Sequence, residues 1–346
     1  MKIKQIVLGL AAAMMVVGVG STLTRAAADT TDSTNSSATT DSDSASSGST
    51  VQTKALSKAY VVYGAGLASE DKDKVASALG VKSNYTTLSA TGSDYAKYLN
   101  SAGTSDASMI SSVALAPADP GTGVKVNIAD YDGNNNITEV TSQQYAMVAT
   151  MAGVKDVIIT VTADKSVSGE SALTGVYKAL ATDGLTLNSE NTQAANSVLD
   201  ATQPAIDSNN NDKKYPGKLM SAVGSVSSDL AKQRQNGDDL ATKADIEAML
   251  QKALAKQGID DKTNSTQVTN IAVALSKVQQ APVSTSKTYI SNVTNVANNL
   301  ANSVGNKMAS LKDFANSADA KQAENFIVRI WNSITSFFQG LFSGTN

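Results

Sequence analysis

The 346-residue chain contains no cysteine and no histidine. Thiol nucleophiles, disulfides, Ser-His-Asp triads and histidine-ligated zinc or haem are therefore outside its own chemistry. Only carboxylates, hydroxyls, amines and backbone groups remain. A surplus of positive charge is missing too: 28 Lys and Arg stand against 31 Asp and Glu, a net charge of −3. Without a basic patch suited to phosphate backbones, nucleic acid is not an expected partner. Neither a lipid-bearing cysteine nor an LPxTG-type sorting motif is present. What the chain does have is 41% hydrophobic residues, enough for the cores of two domains.

The first 28 residues carry Lys2 and Lys4, an apolar run from Ile6 to Val19, and Ala26, Ala27 and Ala28. That order is expected of a secretory signal cut after Ala28, because the apolar run is shorter than the ~20 residues of a spanning helix. Loss of Lys2, Lys4 and Arg25 would take the formal charge from −3 to −6. An exported chain without cysteine suits a Gram-positive cell surface or its medium. Residues 29–53 are almost entirely Ser, Thr, Asp, Ala and Asn. They predict a disordered linker, about 28 Å long on average as a flexible coil.

Between residues 54 and 185 strand and helix signals alternate, which predicts an α/β domain with about five strands in a mixed sheet. Strands are expected over 59–64, 85–90, 109–116, 123–131 and 156–163. Helices are expected after Ser69, as N-cap, to Gly80, after Ser93, from Ser142 to Ala152, and from Gly169 to Leu180. The strands flanking Pro117, Pro120 and Gly121 are close enough to form a hairpin. From 186 to 318 the pattern becomes an all-α module. Ile246, Met249, Leu250 and Leu254 form one stripe, and Val293, Val296, Leu300, Val304 and Leu311 another, on a helix expected over 284–315.

Residues 319–346 predict an amphipathic helix. Phe326, Ile330, Trp331, Ile334, Phe337, Phe338, Leu341 and Phe342 share its apolar face, and four of the five phenylalanines and the one tryptophan fall within 326–342. That face has two readings: the last core element of the helical module, or a contact with a membrane surface or a protein partner.

Other motifs promise less. Gly64 and Gly66 sit between a strand and a helix as in a dinucleotide fingerprint, but Glu70, Asp71 and Asp73 crowd the place of the phosphates, so no nucleotide and no cofactor is expected. Ser69 to Lys72 and Ser284 to Lys287 have S-x-x-K spacing without companion motifs. Ser171 begins a nucleophile-elbow pattern that Leu173 breaks. In DYDGNNNITEVT, Asp130, Asp132 and Asn134 match calcium-loop positions 1, 3 and 5, making a weak metal candidate. Asn135 and Thr141, however, replace the glycine and bidentate glutamate of such a loop. A turn is the expected structure. A hydrolase acting on wall glycan would have to draw on Asp130, Asp132, Glu139, Asp164 and Glu170, and no spacing pairs any two of them.

Several segments together resemble the YpuA-like family of exported Gram-positive proteins, a domain of unknown function. They are Ile110 to Ser112, Gly121 to Gly123, Asn136 to Thr138, Tyr145, Ala152 to Val154, and Val167 to Gly175. The similarity spans roughly 57 to 310. It implies the fold and export but no activity, so a non-enzymatic binding or structural protein of the cell envelope is the expected function, with the glycan hydrolase as alternative. The chain departs from the family pattern at Gly66, where an acid is usual, at Ser166, where a proline is, and in the added DGNNN turn.

Overall fold

A computed structural model describes residues 56–306 and Met308. The expected signal segment, linker, Leu311 and C-terminal aromatic helix, Phe326 to Phe342 included, lie outside the described residues. Among the described residues no helix is long and apolar enough to cross a membrane.

Five strands, β1 (Tyr60–Gly64), β2 (Thr86–Ala90), β3 (Ser112–Pro117), β4 (Val124–Ile128) and β5 (Val157–Thr162), form one mixed sheet in the order β2-β1-β3-β5-β4. The β1–β2 and β4–β5 pairs are parallel, and β1–β3 and β3–β5 antiparallel. The N-terminal region is thus α/β and the remainder helical, as the alternating and then amphipathic patterns imply.

The expected hairpin does not form, because β5 lies between β3 and β4. The short link over 118–123 arches across the start of β5 instead, and Asp156 holds it there. Its Oδ1 accepts the N–H groups of Gly121 at 2.9 Å and Gly123 at 3.0 Å, while its carbonyl accepts that of Ala118 at 3.1 Å. Asp156 is 3% exposed and adopts φ 49°, a conformation disfavoured for a residue with a Cβ. Three captured N–H groups offset that cost.

One face of the sheet presents Val61, Tyr63 and Ala114 to Val75 and Leu79 of α1 (Lys72–Leu79). The other presents Tyr60, Val62, Val113, Leu115, Val126, Ile159 and their neighbours to α3 (Ser142–Met151) and α4 (Glu170–Thr182). Behind these lie α5 (Ser189–Ser208), α6 (Tyr215–Asn236), α7 (Lys243–Gln257), α8 (Ser265–Gln280) and α9 (Lys287–Leu300); α2 (Gly92–Leu99) packs beside α4 and α5. All ten residues of α3 are buried, so it faces the sheet on one side and helices on the other. Its polar groups are bonded across those contacts: Gln144 Nε2 donates to Thr202 Oγ1 and Gln203 Oε1, and Gln143 Nε2 to the Gly305 carbonyl. Sheet and helices share one continuous hydrophobic core.

Local boundaries differ from expectation where capping is decided by neighbours. Ser69 caps nothing and lies inside a 3-10 turn, Ser69–Asp71, that precedes α1. Helix α2 starts one residue before Ser93, since Thr91 and Asp94 form a reciprocal capping box. Helix α9 stops at Leu300; Val304 is buried beyond it but belongs to an extended bridge.

Candidate functional site

Four of the segments that carry the family resemblance, Ile110 to Ser112, Asn136 to Thr138, Tyr145 and Val167 to Gly175, meet at the start of α4. Its N-cap is Gly169 at φ 109°, which has no side chain to satisfy the free N–H groups, so neither Ser168 nor Ser171 caps the helix. Ser111, the residue just before β3, does this from outside: its Oγ accepts the Ala172 N–H at 2.9 Å. The Ser171 hydroxyl donates to the Ser111 carbonyl at 3.1 Å and lies 2.5 Å from the Ser111 hydroxyl. Tyr145 donates to the Gly169 carbonyl at 2.5 Å, and Thr138 N–H to that of Val167 at 2.9 Å. Both serines are buried and fully engaged with each other. They hold the helix start and are not poised as nucleophiles.

The next residue, Glu170, points toward chemistry. It accepts a hydrogen bond from the Tyr95 hydroxyl of α2, whose proton is held more tightly through burial and then through that bond. Asp200 of α5 stands near enough to feel the Glu170 charge. Desolvation first, and then this repulsion, raise its proton affinity, while Lys277 of α8 opposes the rise. Asp200 borders a cleft of about 570 Å³ between the end of α2, α5 and α8. Its walls include Asn100, Glu190, Gln193, Asn196 and Lys277. Asn100 closes α2 in the left-handed region at φ 53°. A volume of this size suits a small ligand.

Asn196 supplies a second signal. It is 6% exposed and its Nδ2 donates to the Tyr98 carbonyl at 2.9 Å, while its Oδ1, closed off from solvent, has no hydrogen-bond partner among the described residues. Buried acceptors are seldom left so, because the group loses its water without replacement. Nothing in the sequence singles out Asn196, Asp200 or Lys277. That they line one cleft depends on how α5 and α8 pack, and the residues themselves occupy ordinary helical positions.

The remaining sequence candidates are placed differently. An added Cβ on Gly64 would stand 2.1 Å from the Met109 carbonyl oxygen, and one on Gly66 2.4 Å from that of Ala107. These glycines admit a neighbouring chain segment and leave no room for a phosphate. Ser284 donates to the Gln279 and Ala281 carbonyls and accepts from Arg234, a structural knot at the end of α8.

The DYDGNNN segment is a tight turn, with Tyr131 and Asn134 exchanging backbone bonds at 2.9 and 3.0 Å. Asp132 and Gly133 occupy its corner at φ 47° and 81°. The Asp132 carboxylate lies 3.2 Å from Lys74 Nζ, and Asn134 Nδ2 bonds the Asp132 carbonyl. Asp130 is exposed at the strand end. Tyr131 donates to Asp71 at 2.8 Å; that bond, desolvation and the charges of Asp71, Asp132 and Asp164 push its hydroxyl pKa up to about 12. Among the described residues no group of three acidic side chains is arranged to hold a metal ion. Of the five acids a hydrolase could use, Glu170 alone is coupled to the cleft, and its companion, Asp200, was not among them.

Comparison with known sequences places this architecture. A family profile described as "Protein of unknown function (DUF1002)" matches residues 63–296. The chain is 27% identical over 297 residues to a Bacillus subtilis protein described as "Uncharacterized protein YpuA", covering 82% of this chain and 91% of that one. No solved structure matches.

Proposed function

The chain belongs to the DUF1002 family, whose description carries no activity, and from that premise we propose that it is an exported, cell-envelope-associated binding protein with its binding site in the α2–α5–α8 cleft. The cleft carries this reading. It gathers two acids, several amides and a lysine around a volume suited to a small polar ligand. Export is supported by the charged, apolar and small-residue order of residues 1–28. The aromatic face from Phe326 to Phe342 supports a second contact, with a membrane surface or protein partner.

Fractionation of producing cells into wall, membrane and medium tests this, with the new N-terminus determined by mass spectrometry. Asp29 at the N-terminus and recovery outside the cytoplasm are expected; retained Met1 on cytoplasmic protein would overturn export. Loss of membrane or partner association on deleting residues 324–346, with stability unchanged, would establish the second contact.

One observation favours the alternative of a glycan hydrolase. Asp200, its proton affinity raised by desolvation and then by the Glu170 charge, is a carboxylate within electrostatic reach of a second one, a pairing that acid and base work can use. Purified wall incubated with the protein decides. Release of glycan fragments that disappears in both Glu170→Gln and Asp200→Asn would replace the binding reading with the hydrolytic one.

A further inference from the structure

We propose that residues 309–318 fold back round the open edge of β4 and cover the part of the α1-side sheet face that α1 leaves bare, with Leu311 and Phe314 seated over Ala116 and Ile158. On that face Ala116, Ile158 and Lys125 form one row, because Ile158 pairs with Ala116 of β3 on one side and with Lys125 of β4 on the other. Their exposures are 9%, 3% and 4%. The described helices do not account for that burial. Helix α1 runs over β3 and β5, but its buried side chains, Val75 and Leu79, cluster with Val61, Tyr63, Ala114 and Tyr131. Ala116 and Ile158 join neither this cluster nor the main core formed among the described residues. The elements packed most closely on β4 are β5 and α3, and α3 lies against the opposite face.

Met308 indicates what supplies the cover. Strand β4 is the outer strand, and Ala129 N–H bonds the Val161 carbonyl of β5, so by the two-residue alternation Val126 N–H points to the open edge. Met308 Sδ accepts it there at 3.2 Å, and Met308 is wholly buried. The chain that follows therefore starts at the edge of the strand that carries Lys125. Ile158 and Ala116 stand one and two strands further in, about 10 Å away at most, and six residues can span up to ~20 Å. Leu311 and Phe314 are the first large apolar residues after Met308. The N-terminal chain is the poorer occupant. Ser57 N–H bonds Asp183 at 2.7 Å, at the end of α4 on the opposite face, and residues 29–53 hold a single large apolar side chain, Val51. This inference goes beyond the contact reading of residues 326–342: it gives that aromatic face a fixed root on the sheet and leaves the face itself free.

The absence of cysteine makes the test direct, since any disulfide formed belongs to the pair introduced. In the full exported chain Ile158→Cys is combined with Leu311→Cys or with Phe314→Cys, and Val273→Cys, exposed on α8, is combined with Phe314→Cys as control. A bridge forms only where the two Cα atoms come within about 7 Å. Mild oxidation followed by peptide mapping should find a disulfide within one chain for at least one of the Ile158 pairs and none for the control. Disulfide-linked dimers would assign the cover to a second copy of the chain, and no disulfide in either Ile158 pair would leave the face to another occupant; both results overturn the proposal. Denaturant unfolding gives a second readout in single variants of the same chain. The midpoint of Phe314→Ser should fall, while that of Phe326→Ser stays at the parent value. The reverse pattern would overturn both the proposal and the contact reading of the aromatic face, and no change in either variant would overturn the proposal alone.

Discussion

Gly175 of α4 crosses Val113 of β3 so closely that a Cβ on the glycine would stand 2.7 Å from Val113 Cγ1 and 3.2 Å from Val62 Cβ. Both valines are buried and branched at Cβ, so they cannot rotate away cheaply. Replacing Gly175 by Ala gains about 1 kcal/mol of helix propensity, which offsets part of the overlap. Gly175→Leu has no such relief and should cost roughly 1–3 kcal/mol. Denaturant unfolding should show a lower midpoint with unchanged slope, Leu below Ala. An unchanged midpoint for Leu would mean that α4 can lift from the sheet.

Ser111→Ala should destabilise the protein by about 1–2 kcal/mol, since it strips the cap from Ala172 N–H at a buried helix start. Ser171→Ala should cost less, because the Ser171 hydroxyl serves Ser111 and holds no helix N–H. The double variant should fall short of the sum of the two. Equal single effects would remove Ser111 from its capping role.

Stability against pH should move in opposite directions at two aspartates. Asp200 has a raised folded pKa, so its ionised form costs stability at neutral pH, a cost that fades as pH falls through that value toward the unfolded pKa near ~3.9. Asp200→Asn should therefore raise the melting temperature at pH 7 and leave it unchanged near pH 3. Asp94 is the reverse. Desolvation pulls its pKa up, but bonds from Lys178 at 2.6 Å and from Thr91 outweigh it, and the net shift is downward. Its contribution is fully present above the unfolded value and disappears as pH falls through the lowered folded one. Asp94→Asn should lower the melting temperature at pH 7, with the deficit shrinking in acid. Parallel pH profiles for the two variants would contradict both assignments.

Calcium should leave the melting temperature unchanged. The turn corner is closed by its own backbone, and Asp132 faces Lys74. A site with a dissociation constant of ~10 μM would add about 2.7 kcal/mol at 1 mM calcium, a rise of several degrees that calorimetry would detect.

Periodicity and punctuation made the elements readable. Val124, Val126 and Ile128 alternate toward the shared core, and Gly80 and Gly153 close α1 and α3 with φ of 69° and 96°. The order of the strands was not readable in this way. Sequence separation favours β3 beside β4, whereas the outcome depends on Asp156, whose carboxylate pins the short link only when β5 is already in place. The cleft was hidden for a related reason. Local pattern identifies Glu170 as a first-turn acid of a helix, but its repulsion of Asp200 and the burial of Asn196 arise from the docking of α5 against α2, α3 and α8.

The central position of β5 sets an order of assembly. As the chain emerges from its N-terminus, β1, β2 and β3 can pair at once, but the second edge of β3 has no native partner until residue 162 has appeared. During that interval β4 is tethered beside it by a six-residue link, so the local hairpin is the first pairing within reach. It must open again for β5 to insert. Folding should therefore be slowed by a kinetic trap that its own nearest-neighbour strands create, and an unfilled β3 edge exposed in that period is the part of the molecule most open to pairing with another copy.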